Sequence, residues 1–293
     1  MTLVDVNRMF STDDQCRELL KRLRWPNGLH CLRCKKTDVF EVAPYKYECT
    51  ACAYQFTVTA QTIFHDTHLP LTTWFLAVLL IVEARKGISA NQLKRTLGVA
   101  YKTAWYLCHR IRKAMDESDK TRPLMSGTVE MDETYVGGKA RGGKPGRGAA
   151  KKEIVVGIRE RQGDLRFFRA EDVKSGTLAK YVKENISEDV EVMVTDDFKS
   201  YWVAAGMRNH EIVTHSKGEY VRGDIHTNTV ESAFSLLKRG IIGSWHKVSA
   251  KHLPAYLNEM TFRFNRRKNS DLFMDTLKHM ISADPLTFEK LTA

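Results

Sequence analysis

The chain has 293 residues, 43% of them hydrophobic, and carries 46 Lys+Arg against 35 Asp+Glu, a formal net charge of +11 with a pI near 9.3. That length holds two domains with cores of their own, and the apolar content excludes a disordered chain. The basic surplus favours a polyanionic partner, because each Lys or Arg that meets a phosphate releases condensed counterions.

The opening residues, MTLVDVNRMFSTDDQ, lack the basic stretch and apolar core of a secretory signal. The longest apolar run, Trp74 to Val82, is shorter than the roughly 20 residues needed to cross a bilayer and reads as a buried helix. A cytoplasmic chain without a membrane partner is expected, in which paired cysteines point to metal and not to a disulfide.

Residues 1–24 form an N-terminal helical segment, with Ser11 to Asp14 as the N-cap region before Cys16, Leu19, Leu20 and Leu23. Residues 25–60 are turn-rich and hold Cys31-Leu-Arg-Cys34 and Cys49-Thr-Ala-Cys52, two C-x2-C pairs separated by 14 residues. Each short spacing brings two thiolates to the same ion, and four sulfurs satisfy tetrahedral zinc with no position left for water. The expectation is a zinc ribbon with one structural zinc on Cys31, Cys34, Cys49 and Cys52, the metal replacing a core too small to fold alone. Cys16 and Cys108 fall in helical patterns and read as small core residues.

Residues 61–122 read as helices. Leu69–Arg85 is one, ended near Gly87, and the run ISANQLKRTLGV-AYKTAWYLCHRIRKAM has the build of a helix-turn-helix broken near Gly98. A recognition helix presents its N-terminal residues to base edges and nearby basic residues to phosphates. Lys102, His109, Arg110, Arg112 and Lys113 are the candidate phosphate contacts, with Ala104, Leu107 and Ile111 facing the core. An ordinary helical hairpin with a basic face is the competing reading.

Residues 123–293 change character. Strand-like TVEMDETYV, EIVVGIRE and LRFFRA precede a helical run, TLAKYVKENI, and a further strand, VEVMVT, an α/β pattern. Between the first two strands GGKARGGKPGRGAAKK has six glycines, six basic residues and no acid, which reads as a loop that clamps DNA or a second protomer. Asp132 lies in the first strand, Asp196 follows Val190–Thr195, and Glu231 lies near the start of a helix from Asn228. Three carboxylates from separate elements can hold two divalent cations for in-line phosphoryl displacement, and hard oxygen ligands select Mg2+ or Mn2+. Along that helix Val230, Ala233, Phe234, Leu237 and Ile241 form an apolar stripe, while Asn228, Glu231, Ser235 and Lys238 form a polar one, leaving Glu231 and Lys238 two turns apart on one side. Strand alternation does not choose between Asp132 and its neighbours Glu130 and Glu133, or between Asp196 and Asp197.

The run HTNTVESAFSLLKRGIIGSWHKVSAKHLPAYLNEMTFRFNRR, with VEMDETYVGGK and VTDDFKSY, closely resembles bacterial insertion-sequence transposases of the DDE class, in the branch with an N-terminal zinc ribbon. The resemblance covers nearly the whole chain. It implies a ribonuclease H-like catalytic domain over residues 123–293, with Asp132, Asp196 and Glu231 as ligands of two Mg2+ or Mn2+ and Lys238 as the fourth catalytic residue. It further implies strand cleavage at terminal inverted repeats, transfer of the 3′-hydroxyl into target DNA, a dimer or higher assembly on DNA, and a nucleoid-associated location. Lys238 and Arg239, with the basic stretch that includes Lys247 and Lys251, are expected to position the DNA backbone, and Trp245 and His246 to stack on or wedge into exposed bases, with a core tryptophan as the competing reading of Trp245. The competing functions are a nuclease that cuts without joining and a regulator that keeps only the DNA-binding modules.

Overall fold

The computed structural model describes residues 1–117, 122–137, 152–214, 218 and 221–293. Apart from its two end residues, the glycine-basic segment 137–152 lies outside them. The chain divides into two compact units, Met1–Asp116 with Lys268–Ala293, and Glu117–Arg267.

In the first unit, α1 (Leu3–Met9) and α2 (Asp13–Arg24) each open on a threonine capping box, Thr2 with Asp5 and Thr12 with Gln15, which satisfies the first free amides of each helix. Three short strands follow, β1 (Val39–Ala43), β2 (Lys46–Cys49) and β3 (Gln55–Thr57), in an antiparallel sheet of order β1-β2-β3. Trp25, Tyr47 and Phe56 form the small aromatic core of this ribbon, with ring centroids 5.8 to 6.0 Å apart.

Helix α3 (Leu71–Glu83) buries residues around most of its circumference and is the axis of the helical part. Helix α4 (Ala90–Leu97) starts on the Ser89 side chain and stops at Gly98, whose φ of +68° lets its N–H return to Lys94. Three residues separate α4 from helix α5 (Tyr101–Ala114). The C-terminal helices α10 (Leu272–Ser282) and α11 (Phe288–Thr292) also belong to this unit. Phe273 packs its ring on Phe10 and Phe75, and Phe288 meets Trp105 and Tyr106. Residues 268–293, read from sequence with the α/β part, are therefore drawn into the helical core by these aromatic contacts.

The second unit is built on a five-stranded mixed sheet of order β6-β5-β4-β7-β8. Its strands are β4 (Thr128–Val136), β5 (Glu153–Glu160), β6 (Leu165–Ala170), β7 (Val192–Asp196) and β8 (His210–Val213); β4, β5 and β6 pair antiparallel, while β4, β7 and β8 run parallel. Helices α6 (Ser175–Asn185) and α7 (Lys199–Ala205) pack on one face around Val129, Met131 and Met193. Helices α8 (Asn228–Gly240) and α9 (Leu253–Asn265) cover the other, around Val155, Leu165 and Phe167. Because strand side chains alternate, Glu130 and Asp132 share the α8 face and Glu133 points to the opposite one. No helix among the described residues is long and apolar enough to cross a membrane.

Candidate metal centres and nucleic-acid surface

The two cysteine knuckles are built alike. Lys35 N–H returns to the Cys31 carbonyl at 3.0 Å and Ala53 N–H to the Cys49 carbonyl at 2.8 Å, with Lys35 and Ala53 both in the left-handed region. Their sulfurs converge: Cys31 to Cys52 is 3.6 Å, Cys34 to Cys49 is 3.5 Å, and all four lie within 4.8 Å of one another. A tetrahedron of Zn–S bonds of about 2.3 Å has sulfur–sulfur edges of about 3.8 Å. The donor set and its spacing fit zinc.

In the second unit the sheet register brings two acids together. The parallel pairing sets Thr128 against Val192, Val129 against Met193 and Glu130 against Val194, so that Asp132 and Asp196 each lie two residues beyond the last of these pairs on adjacent strands. Asp132 sits in mid-strand and Asp196 is the last residue of its strand. Glu231 stands in the first turn of α8. Its carboxylate accepts from the Thr227 hydroxyl at 2.8 Å, a contact one helical turn back that holds the side chain at the helix entrance.

Burial, and then the negative charges of Glu133, Asp196 and Glu231, push the Asp132 carboxyl up to about 8. This is the electrostatic environment that a cation relieves. Among the described residues the four cysteines are the only metal-ligand set whose donor atoms all lie within 4.8 Å. The all-oxygen donor set of the three carboxylates fits Mg2+ or Mn2+.

The neighbouring acids are otherwise engaged. Glu133 accepts from the buried Tyr201 hydroxyl at 2.6 Å on the α6/α7 side. Glu130, fully buried, accepts from two backbone amides of α8 and from Arg161. Asp132 is thus the acid of β4 that shares the α8 face and is not committed to a helix cap.

Residues 124–265 match the ISXO2-like transposase domain, and residues 11–55 match the transposase zinc-ribbon domain. An uncharacterized protein in transposable element ISH50 of Halobacterium salinarum is 30% identical over 278 residues, 87% of this chain and 92% of that protein. The chain belongs to the ISXO2-like transposases. Among solved structures, the Mos1 strand transfer complex aligns over 71% of this chain and 75% of that chain, at 10% identity and a TM-score of 0.31. The Mos1 mariner paired end complex with Mn aligns over 70% and 75%, at 10% identity and a TM-score of 0.29. Overlaps this weak add nothing to the assignment.

In this transposase the expected DNA contacts divide sharply by exposure. Lys238, Arg239, His246, Lys247 and Lys251 are exposed, as is Lys102, whose ammonium lies 4.3 Å from the Phe288 ring centroid. Lys113 is half-buried and paired with Asp116 at 3.2 Å. Arg110 and Arg112, expected at phosphates, are instead buried, only 4% and 2% exposed. The Arg110 guanidinium donates to the His65 carbonyl and stacks on Trp74, so neither arginine is presented to phosphate. His109 is buried as well. Arg110 and Arg112 flank the apolar stripe of α5 on its two sides, and spacing alone does not tell how far around the helix the covered surface extends.

Trp245, expected against exposed bases, is instead a core residue. It is buried, with its ring edge-on to Tyr256 at 4.9 Å, and belongs to the core under α8 and α9. It ends a π-helical turn, Ile241–Trp245, that extends α8. His246 then adopts φ +59° and ψ −56°, and the Lys247 N–H closes on the Trp245 carbonyl at 2.7 Å, a strained γ-turn with the histidine at its exposed tip.

Proposed function

We propose that the Glu117–Arg267 unit is a ribonuclease H-like catalytic domain that performs two-metal phosphoryl transfer on DNA: strand cleavage at the ends of an insertion sequence, followed by transfer of the freed 3′-hydroxyl into target DNA. The observation that carries this reading is the place of Asp132 and Asp196 on adjacent parallel strands, with Asp196 and Glu231 both close enough to raise the Asp132 carboxyl. Asp132, Asp196 and Glu231 would hold the two cations. When bound there, Mg2+ or Mn2+ would activate the attacking oxygen and stabilise the leaving oxygen of an in-line displacement.

The chain's own residues supply position. Thr227 orients Glu231, and the packing of Val230, Ala233, Phe234 and Leu237 fixes the rotation of α8 so that Glu231, Ser235 and Lys238 share its outer face. Lys238, two turns beyond Glu231, takes a backbone phosphate of the bound strand. Arg239, Lys247 and Lys251 extend that contact along the DNA, and His246 presents its imidazole to an unstacked base or its phosphate. In the first unit the zinc ribbon and the α4/α5 pair, read as a helix-turn-helix, bind the terminal repeats, with Lys102 and Lys113 as phosphate contacts. Two ends must be joined in one reaction, so the active form on DNA is a homodimer or larger assembly.

The test is strand cleavage and joining on linear DNA carrying the element's own ends, with Mg2+, in wild type, Asp132→Asn, Asp196→Asn and Glu231→Gln. Metal-dependent cutting and joining, lost in all three variants while DNA binding persists, is expected. Cutting without joining would make the enzyme a nuclease, and binding without chemistry under Mg2+ or Mn2+ would leave a regulator.

A further inference from the structure

The residues that tie α8 to the sheet form a cluster that the proposed chemistry does not itself use. Glu130 lies in β4 two residues before Asp132 and is fully buried. Its Oε2 accepts the amides of Thr229 at 2.8 Å and Val230 at 3.0 Å, in the first turn of α8. Its Oε1 accepts from Arg161 Nε at 2.7 Å. Arg161 in turn donates to the Asp224 carbonyl at 2.7 Å, the His226 carbonyl at 3.0 Å and, at 3.0 Å, contacts His226 Nδ1. Arg159 adds a bond to the Thr229 carbonyl at 2.7 Å. The segment entering α8 is therefore bound to β4 and β5 up to the residue before Glu231.

We infer that Glu130, with Arg161, is a positioning residue that sets the place of Glu231 relative to Asp132 and so fixes the cation affinity of the carboxylate site. This rests on the functional reading above. The physical need is evident from the charges. Asp132, Asp196 and Glu231 repel one another, and the repulsion pushes Glu231 and the start of α8 away from the sheet. A carboxylate at a helix N-terminus is attracted by the free amides and the positive end of the helix dipole, and a buried one paired with arginine is stronger still. Glu130 thus pulls α8 inward where Glu231 is pushed outward. Both its oxygens are taken up by amides and guanidinium, so it acts without touching the cation. Residues that orient metal ligands from behind change affinity by about 10–100-fold when altered.

The test uses the full chain and reads Mn2+ binding directly, from the free-ion electron paramagnetic resonance signal, beside cleavage as a function of Mg2+ concentration. Glu130→Gln keeps the shape but turns an amide N–H2 or a weaker acceptor toward Arg161 or the helix. It is expected to weaken Mn2+ binding by about tenfold or more and to raise the Mg2+ needed for half-maximal cleavage by a similar factor, with the rate at saturating metal largely restored. Arg161→Lys, a milder change that keeps the charge but loses the bonds to residues 224 and 226, shifts the same two readouts less and covers the case in which Glu130→Gln fails to fold. Metal dependence identical to wild type in both variants overturns the inference. So does loss of cleavage at every metal concentration in a folded Glu130→Gln protein, which would make Glu130 a ligand. Wild-type protein that binds Mn2+ but does not cut overturns the functional reading alone, and the Mn2+ comparison still decides the role of Glu130. Wild-type protein that binds no Mn2+ outside the zinc ribbon overturns both.

Discussion

The Tyr201 hydroxyl donates to Glu133 Oε2 at 2.6 Å, on the face of β4 opposite to Asp132. This bond joins the tyrosine that ends the VTDDFKSY run to an acid of the MDETY run, and gives both residues a structural task beneath α6 and α7. Burial, and then the charge of Glu133, raise the Tyr201 pKa, so the phenol stays a donor throughout the working pH range. Tyr201→Phe should destabilise the protein by about 1–3 kcal/mol, the cost of withdrawing a hydrogen bond from a buried carboxylate. Metal-dependent cleavage should change only a few-fold. Urea unfolding beside a cleavage assay separates the two effects.

Gly157 pairs with Asp132 across β4 and β5 and lies under α8. A Cβ there would stand 2.7 Å from Phe234 Cζ and 3.0 Å from Phe167 Cε1, and those two rings are stacked 5.4 Å apart. The nearer ring, Phe234, is carried by the same helix as Glu231. Gly157→Ala should cost about 1–3 kcal/mol and lower cleavage activity as well. Adding Phe234→Leu should recover part of the stability, which a double-mutant cycle in thermal unfolding would measure.

His210, on β8, has its Nε2 2.9 Å from Thr195 Oγ1. Burial lowers its pKa, against the opposing charge of Glu211, so the fold favours the neutral ring. The unfolded chain, titrating near the ordinary 6.5, therefore binds the extra proton. The stability held by the neutral ring is complete above that value and is lost as the pH falls from there through the folded pKa. His210→Gln should flatten the decline in stability between about pH 7 and 5, as measured by denaturant unfolding at several pH values.

The cysteine cluster should hold one zinc per chain. Any of Cys31→Ser, Cys34→Ser, Cys49→Ser or Cys52→Ser should lose that metal and loosen the core around Trp25, Tyr47 and Phe56, because a ribbon this small depends on its metal to fold. Metal analysis of the purified proteins, with tryptophan fluorescence before and after chelation, checks both points.

Much of this was legible in the chain. The limits of β4, β5 and β6 fall where the strand-like runs TVEMDETYV, EIVVGIRE and LRFFRA place them, and the matched C-x2-C spacing announces the thiolate tetrahedron. Other features depended on partners distant in sequence. Arg110 and Arg112 lie on a helix whose spacing shows an apolar stripe but not how much of the remainder is covered. Helices α10 and α11 carry ordinary amphipathic patterns, and contacts distant in sequence, Phe273 on Phe10 and Phe75 and Phe288 on Trp105 and Tyr106, assign them to the first unit. The family resemblance points to Asp132, but what engages its neighbours Glu133 and Glu130 is out of local reach, Tyr201 and the α8 amides, respectively 68 and roughly 100 residues downstream. A local signal did exist for one contact: Thr227 and Glu231 are four residues apart, the spacing at which helical side chains meet.

The most direct measurement is Mn2+ binding to the purified full chain, its zinc ribbon already filled, in wild type and in Asp132→Asn, Asp196→Asn and Glu231→Gln. If the three carboxylates form one site, wild type binds Mn2+ and each single substitution weakens that binding by at least about tenfold, as the loss of one ligand from a shared site requires. Binding that is unchanged in any of the three would remove that residue from the site and contradict the account.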